Sequence, residues 1–259
     1  MNYSKVTPKV SLIGAGPGDQ ELLTLKAVKA LQSAKVVLYD ALVDQPILDL
    51  IPATAEKIYV GKRANKHRFS QEDINMLMVT YALNYGHVVR LKGGDPFIFG
   101  RGHEELEFAD LFDIPVEYIP GISSSVGLAG LQRVPLTRRH FAQSFWVLTG
   151  TTTAGKLSED IKLAAQSSAT LVILMAMRKI KEIADLFNEI GKGDTPVMII
   201  QNGSRPNERV VLGQMHNIFE RASVGGIGRP GIIVVGEVVQ FHPEFAYEQA
   251  LQHFQNQSV

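Results

Sequence analysis

Short apolar runs rich in valine and isoleucine recur through the first half of this 259-residue chain, and each is followed by a turn or a helical pattern. The runs lie at residues 10–13, 36–39, 57–60, 88–91 and 116–119. Ser70 and Asp73 have the spacing of a capping pair that opens a helix. Apolar residues also recur at helical spacing at Leu22, Leu23, Leu25, Val28 and Leu31. Strands that alternate with helices are typical of an α/β fold with a mainly parallel sheet.

The second half restarts this pattern with a difference. Its apolar runs lie at 145–149, 171–175, 197–200, 210–212 and 232–239, and helical spacing returns at 180–190. No helical pattern separates the runs on either side of 202–209, which predicts a hairpin and a mixed sheet. Glycine, serine and proline cluster between 120 and 139. We therefore predict two α/β domains, residues 1–120 and 121–259.

Charge and hydropathy exclude several kinds of partner. Basic and acidic residues number 26 each, so no net field recruits nucleic acid or anionic lipid, and we expect neither partner. The first ten residues lack the apolar segment of a signal peptide. The longest apolar stretch, 169–177, is far shorter than the roughly 20 residues of a membrane span. We expect a cytoplasmic protein.

The absence of cysteine removes thiol chemistry from consideration. Without cysteine there is no disulfide, thiol nucleophile, iron–sulfur cluster or thiolate zinc site. The seven histidines show no HExxH spacing. We therefore expect no bound metal.

The first chemical motif is the loop 14–19, with the sequence GAGPGD, placed where a buried strand gives way to a helix. Glycine there lets the backbone approach a ligand closely. A dinucleotide site is one interpretation, with Asp40 as the acidic residue for the ribose, although the third glycine comes one place early and Pro17 has no N–H to donate. A Walker loop is excluded because no Lys-Ser or Lys-Thr follows. A tight turn without a ligand is the remaining alternative.

Two further loops follow predicted strands. Residues 90–102 read RLKGGDPFIFGRG, and residues 120–125 read PGISSS and open a predicted helix. Ligands of open α/β sheets bind beyond the carboxyl ends of the strands, so the two glycine loops are expected to line one site.

Together these motifs resemble the tetrapyrrole methylases, and within them the members that methylate uroporphyrinogen III. The similarity covers nearly the whole chain, from VSLIGAGPGDQELLTLKA through VVLYDALV, VGKRA, VVRLKGGDPFIFGRG, PGISSSVGLA, VPLTRR, LVILM and QNGS to PGIIVVGEVV. The long GGDPFIFGRG string at the right distance from GAGPGD and GKR is far more specific than any single glycine loop.

The resemblance implies a homodimer of two α/β domains with a cleft between them that binds S-adenosyl-L-methionine, without metal. It also implies two successive C-methylations of uroporphyrinogen III, at C-2 and C-7, which give precorrin-2 for sirohaem and cobalamin biosynthesis. By position, it makes Asp40 the proton acceptor and Lys62 the proton donor, or gives both an orienting role. Its cofactor-binding residues fall on Pro17, Gly93, Gly94, Asp95, Ile98, Ser123, Ser124, Met175 and Gly203.

A polyanionic tetrapyrrole needs local positive charge, which this chain offers in clusters. One lies at 62–68, a second contains Arg133, Arg138 and Arg139, and Lys92 and Arg101 flank the GGDPF sequence. Arginine suits carboxylates because its planar fork binds them bidentately. We predict Arg101, Glu104 and Arg139 as substrate-binding residues.

The chain departs from the family pattern at four positions. Histidine is usual where this chain has Arg138 and Thr151, glycine where it has Ala176, and often alanine where it has Gly231. The alternatives to the proposed activity are another precorrin methyltransferase, a nicotinamide-dependent oxidoreductase and a catalytically silent nucleotide-binding module. Because the chain lacks the additional amino-terminal domain of fused sirohaem synthases, we expect methylation alone.

Overall fold

A computed structural model of the chain describes residues 6–61, 69–245 and 247. The chain divides into two compact units, residues 1–123 and 124–259. Each unit contains a five-stranded sheet and helices. The division lies between Ser123 and Ser124, compared with the 120/121 boundary expected from the sequence.

The first unit is built on a parallel sheet with the strand order β3-β2-β4-β1-β5. Its strands are β1 (Lys9–Gly14), β2 (Val36–Tyr39), β3 (Glu56–Tyr59), β4 (His87–Lys92) and β5 (Val116–Ile119). Its helices are α1 (Leu25–Ser33), α2 (Gln45–Leu48), α3 (Gln71–Tyr85) and α4 (Gly102–Asp110). The predicted mainly parallel sheet is confirmed.

Both faces of this sheet are apolar. Alternate residues of β2 enter different clusters, because successive side chains of a strand point to opposite faces. Val37 packs with Leu31 of α1, whereas Leu38 packs with Met78 of α3. Burial on both faces is characteristic of parallel sheets, and it leaves the strand ends as the places where polar side chains reach the surface.

Local sequence explains where these helices begin. The Ser70 hydroxyl accepts from the backbone N–H of Asp73, and the Asp73 carboxylate accepts from the backbone N–H of Ser70, which confirms the predicted capping box of α3. Thr24 caps α1 through the backbone N–H of Ala27. The predicted helical pattern from Leu22 to Leu31 is divided, because Leu22 ends a short 3₁₀ helix (Gln20–Leu22) and α1 begins only at Leu25, which is 81% exposed.

The second unit contains a mixed sheet with the order β6-β7-β10-β8-β9. Its strands are β6 (Phe145–Thr149), β7 (Thr170–Leu174), β8 (Pro196–Gln201), β9 (Arg209–Gln214) and β10 (Gly231–Val235). Its helices are α5 (Ser124–Leu131), α6 (Asp160–Gln166), α7 (Ile180–Glu189) and α8 (Ile218–Val224). Only β6 and β7 pair in parallel, and β8 and β9 form the predicted antiparallel hairpin.

One predicted strand of this unit was too long. The apolar run 232–239 forms β10 only as far as Val235, and a 3₁₀ helix, Glu237–Phe241, takes the remainder. Gly236 separates the two with a φ of 141°, which glycine adopts readily. Across the described ranges, no helix combines the length and hydropathy needed to cross a bilayer.

Candidate functional site

The glycine loops that follow β1, β4 and β5 meet at one edge of the first sheet. These three strands are neighbours and run parallel, so their carboxyl ends coincide. The backbone N–H of Gly94 donates to the carbonyl oxygen of Gly16 at 2.7 Å, and Gly16 donates back to Gly94 at 3.1 Å. The expectation that the two glycine loops lie at one edge is confirmed.

Close backbone packing requires glycine at these positions. A Cβ atom on Gly14 would lie 2.5 Å from the nitrogen of Gly121 and 2.6 Å from the carbonyl oxygen of Gly94. Gly16 and Gly94 also have φ values of 72° and 67°, in the left-handed region that favours glycine. The glycines are therefore needed by the packing of the loops before any ligand is considered.

Asp95 joins the second loop to the third. Its Oδ1 accepts from the backbone N–H of Phe97 at 2.8 Å, and its Oδ2 accepts from the Tyr118 hydroxyl at 2.6 Å and from the Gly121 N–H at 3.1 Å. Burial, together with the hydrogen bond to Asp95, raises the pKa of Tyr118 to about 12. The Tyr118 ring also stacks on Phe97, with centroids 4.2 Å apart. The carboxylate of Asp95 thus acts as an internal brace for the loop.

The same loop exposes apolar side chains. Phe97, Ile98 and Phe99 are each more than two-fifths exposed. Phe99 and Arg101 have φ values of 53° and 59°, which are uncommon for residues other than glycine. Exposed apolar side chains on a strained loop are typical of a surface that binds a ligand.

Asp40 directly follows β2 and belongs to a cluster of four charged side chains. Its Oδ1 accepts from Arg90 Nη2 at 2.7 Å, and its Oδ2 lies 3.9 Å from Lys92 Nζ. Both cations also bind Oε1 of Glu105, at 3.0 Å from Arg90 Nε and 2.8 Å from Lys92 Nζ. The side chains of the other three are at most 5% exposed, whereas Asp40 is 27% exposed. Asp40 is therefore the member that solvent can reach.

The two cations of this cluster respond differently to burial. Burial alone would lower the pKa of Arg90, but the charges of Glu105 and Asp40 outweigh it and raise that pKa. Burial and the charge of Arg90 lower the pKa of Lys92. The expectation that Lys92 supplies surface charge to a substrate is wrong, because its ammonium group is enclosed and bound to Glu105.

Met175 and Gly203 follow strands of the second unit. Met175 comes directly after β7, is 53% exposed and has a φ of 56°, so it is not a buried strand end. The Thr151 hydroxyl donates to its carbonyl oxygen at 3.0 Å. Gly203 comes two residues after β8, and a Cβ atom there would lie 2.5 Å from a Cδ atom of Leu128.

The remaining predicted residues have varied surroundings. Pro17 and Ser124 are half-buried, and Ser123 is buried. Arg101 and Glu104 are exposed and form a bidentate ion pair, with distances of 2.8 and 2.6 Å. Arg139 is exposed, and within the described ranges it has no ion-pair partner. Lys62 lies outside the described residues, as do the other members of the 62–68 cluster.

Sequence reasoning missed the buried partners of Asp40. Arg90 and Lys92 alternate with the apolar residues Val89 and Leu91 of β4, which was the available signal. The role of Glu105 depends on a contact between α4 and β4. Among the described residues, no group of histidine, aspartate and glutamate side chains is arranged to hold a metal ion.

Comparison with known proteins gives consistent matches. The family model of tetrapyrrole (corrin/porphyrin) methylases matches residues 9–218. A uroporphyrinogen-III C-methyltransferase of Methanocaldococcus jannaschii is 44% identical over 236 residues, which cover 90% of this chain and 98% of that protein. A sirohaem synthase of Actinobacillus pleuropneumoniae is 43% identical over 261 residues. That match covers 100% of this chain but 53% of the relative, so the chain spans about half the length of such relatives.

Solved structures show the same relationship. A uroporphyrin-III C-methyltransferase of Thermus thermophilus, complexed with S-adenosyl homocysteine, is 40% identical and has a TM-score of 0.76, covering 90% of this chain and 99% of that chain. A cobalt precorrin-4 methyltransferase gives a TM-score of 0.80 at 27% identity, covering 89% of this chain and 95% of the other. The family model covers far more than half of the sequence. The chain therefore belongs to the tetrapyrrole (corrin/porphyrin) methylases.

Proposed function

We propose that this chain is an S-adenosyl-L-methionine-dependent methyltransferase that converts uroporphyrinogen III to precorrin-2 by two successive C-methylations, at C-2 and C-7. The product would feed sirohaem and cobalamin biosynthesis. The observation that carries the proposal is the mutual hydrogen bonding of Gly16 and Gly94 in a fold whose relative from Thermus thermophilus is complexed with S-adenosyl homocysteine. The identity of 44% to the Methanocaldococcus jannaschii protein, over 98% of its length, supports the choice of substrate.

The residues of the glycine loops suit this cofactor chemically. They offer the backbone of Gly93 and the exposed apolar side chain of Ile98, whereas the N–H of Gly94 already donates to Gly16. Among the described residues, Lys92 is bound to Glu105 and no side-chain group is arranged to hold a metal ion. Such a neutral surface fits an adenosine and a methionine chain. We propose that the cofactor is held by Pro17, Gly93, Gly94, Asp95, Ile98, Ser123, Ser124, Met175 and Gly203. Asp95 would contribute mainly through the shape of the loop, because its carboxylate already has three donors.

The bound cofactor supplies an electrophilic methyl group, and the protein's part is alignment. Transfer to carbon needs an electron-rich pyrrole carbon held in line with the methyl group, so positioning provides most of the rate. We propose Asp40 as the acceptor of the proton that the substrate loses. Its partial exposure beside the buried cations supports this role, since a substrate can reach it. Lys62 remains the proposed proton donor.

Substrate binding is proposed for Arg101, Glu104 and Arg139. Arg139 is exposed and has no ion-pair partner in the described part of the chain, so its guanidinium group can take a carboxylate. Arg101 already holds Glu104, whose charge fixes the direction of the guanidinium fork. A homodimer acting in the cytoplasm is the state we propose, on the family resemblance.

A nicotinamide-dependent oxidoreductase fits the site less well. Asp40 would have to bind the ribose, but one of its oxygens is engaged by the guanidinium group of Arg90 at 2.7 Å. Pro17 also removes an N–H from the loop that would face a pyrophosphate.

Anaerobic incubation with uroporphyrinogen III and S-adenosyl-L-methionine tests the proposed function. Mass spectrometry is expected to show first one and then two added methyl groups, together with S-adenosyl homocysteine. Incubation without the methyl donor is the control. Calorimetry that found binding of NADH and of neither the methyl donor nor its demethylated product would overturn the proposal.

A further inference from the structure

The carboxylate of Glu105 is the most enclosed charge of the cluster around Asp40. Three donors converge on its Oε1: Arg90 Nε at 3.0 Å, Lys92 Nζ at 2.8 Å and the side-chain amide of Gln71 at 3.1 Å. Its Oε2 is buried and has no hydrogen-bond partner among the residues that the structure describes. We propose that Glu105 is a positioning residue, which fixes Asp40 by holding Arg90 and Lys92 against it.

The arrangement gives Glu105 control over both oxygens of Asp40. Arg90 spans the two carboxylates, with Nε on Glu105 and Nη2 on Asp40. Lys92 binds Glu105 directly and lies 3.9 Å from the second oxygen of Asp40. Arg90 Nη1 also donates to the carbonyl oxygens of Leu38 and Leu91, at 3.4 and 3.2 Å. Because both cations bind the same oxygen of Glu105, loss of its charge would loosen both contacts to Asp40 together, while Arg90 stays attached to the backbone.

The backbone makes this anchor rigid. Glu105 lies in the first turn of α4, and its own N–H donates to the carbonyl oxygen of Arg101. Arg90 and Lys92 belong to β4, which lies between β2 and β1 in the sheet. The cluster therefore connects a helix to the end of β2, where Asp40 reaches the surface.

Stability alone gives little reason for such a cluster. Removing four charged groups from water is costly, and well-packed apolar residues often replace buried ion pairs without loss of stability. The free-energy cost of burying these charges is explained if the reaction requires one fixed orientation of the exposed side chain. In this cluster Asp40 is the exposed member, at 27%, which points to its orientation as the selected property.

The inference rests on the proposed function, and a double-mutant cycle of Glu105→Gln and Asp40→Asn tests it. Glu105→Gln is expected to lower kcat for methyl transfer at least about tenfold, because small misplacements of a reacting group are costly. Its Kd for S-adenosyl homocysteine should stay within about twofold of wild type, since the carboxylate of Glu105 bonds Gln71, Arg90 and Lys92 and none of the proposed cofactor-binding residues. In the Asp40→Asn background, the same change should lower kcat less than about twofold, because the group that it positions is already lost.

Glu107→Gln is the matched control. Glu107 lies two positions further along the same helix, is exposed and is paired only loosely, at 3.4 Å, with His103. This variant should keep the wild-type kcat. An equal fall in kcat for Glu105→Gln in both backgrounds would show a general structural role and overturn the inference.

Two further measurements keep the test decisive. A crystal structure of Glu105→Gln should show Arg90 Nη2 beyond about 3.5 Å from Asp40 Oδ1. An unchanged contact would refute the positioning role, even if the wild-type protein failed to methylate uroporphyrinogen III.

If Glu105→Gln does not fold, Glu105→Gln combined with Lys92→Met restores equal numbers of cations and anions in the cluster. The double variant should fold, but its Arg90 Nη2 should still lie beyond about 3.5 Å from Asp40 Oδ1, and its kcat should stay at least about tenfold below that of Lys92→Met alone. A folded double variant that keeps the Arg90–Asp40 pair and the kcat of Lys92→Met would also refute the inference.

Discussion

The hydroxyl group of Thr151 donates a 3.0 Å hydrogen bond to the carbonyl oxygen of Met175. Met175 has a φ of 56°, a conformation that costs about 1–2 kcal/mol for a residue with a Cβ atom. The end of β6 is joined to the end of β7 by a second bond, from the Gly150 N–H to the carbonyl oxygen of Leu174 at 2.7 Å. Thr151 thus helps to hold Met175 in its strained, exposed position.

Thr151→Val removes this hydrogen bond while it keeps the shape of the side chain. We expect cofactor affinity to fall about fivefold, since one hydrogen bond contributes about 1 kcal/mol. Thr151→Ser keeps the hydroxyl group and should therefore bind the cofactor with the wild-type affinity. Titration calorimetry with S-adenosyl homocysteine measures both, and Thr153→Val at an exposed neighbouring position is the control. Equal affinities for Thr151→Val and wild type would show that Met175 needs no such support.

Regular elements of this fold are predictable where a short sequence determines them. The bounds of β2, β5 and β6 agree with the apolar runs, and the capping box of α3 involves only residues three apart. The end of β10 was missed because its apolar run continues past Gly236 into a 3₁₀ helix. Val238 and Val239 are as apolar as the residues of β10, so hydropathy extends the run past the backbone turn at the glycine.

The positions of the site's loops could be predicted from the sequence, whereas the ion pairs of its charged side chains could not. The glycine loops follow strands, and parallel strand order brings them together. The partner of Arg90 could not be read from sequence, because Asp40 is 50 positions away and Glu105 is 15 positions away. Met175 is the last residue of the apolar run 171–175, and its exposure depends on a left-handed backbone conformation that hydropathy does not encode.

Tyr118→Phe tests the brace at Asp95. The change removes the 2.6 Å hydrogen bond to Asp95 Oδ2 and keeps the ring that stacks on Phe97. A bond to a buried carboxylate contributes about 1.5–3 kcal/mol, so we expect a loss of stability in that range. Urea unfolding measures it, and Tyr85→Phe, at a tyrosine that is 56% exposed, should lose far less. Similar losses for the two variants would argue against the brace.

Acidification should destabilise the first unit through His87. Burial lowers the pKa of His87 and outweighs the opposing hydrogen bond to the Ser33 carbonyl. Below about pH 6.5, His87 therefore binds a proton in the unfolded chain, whereas in the folded chain it binds one only at lower pH. This contribution to stability is fully present above that pH and is lost as the pH falls through the lower pKa of the folded state.

Urea unfolding between pH 8 and pH 5 measures this effect of His87. His87→Gln should reduce the loss of stability on acidification, because its side-chain amide does not titrate and can still bond Ser11, which lies 2.8 Å from the ring of His87. His103→Gln, at an exposed histidine, is the control and should leave the pH dependence as in wild type. An unchanged pH dependence in His87→Gln would assign the effect to other groups, of which His242 is one, since burial lowers its pKa as well.

Arg139 provides the sharpest test of substrate binding, because the acidic tetrapyrrole must find cations in a chain without net charge. Its guanidinium group is exposed and has no ion-pair partner among the described residues, whereas Arg101 already binds Glu104. If a substrate carboxylate becomes desolvated against Arg139, truncation costs about 2–5 kcal/mol, so Arg139→Ala should lower kcat/KM at least about 30-fold. Cofactor affinity should stay unchanged, and Lys181→Ala, which removes an exposed cation paired with Asp185, is the control.

A contact between Arg139 and substrate at the rim of the site would instead cost under about 1 kcal/mol on truncation and would weaken with salt, because the Debye length is about 8 Å at physiological ionic strength. Kinetics at low and high salt distinguish the two, and a small, salt-sensitive loss for Arg139→Ala would remove Arg139 from the substrate site.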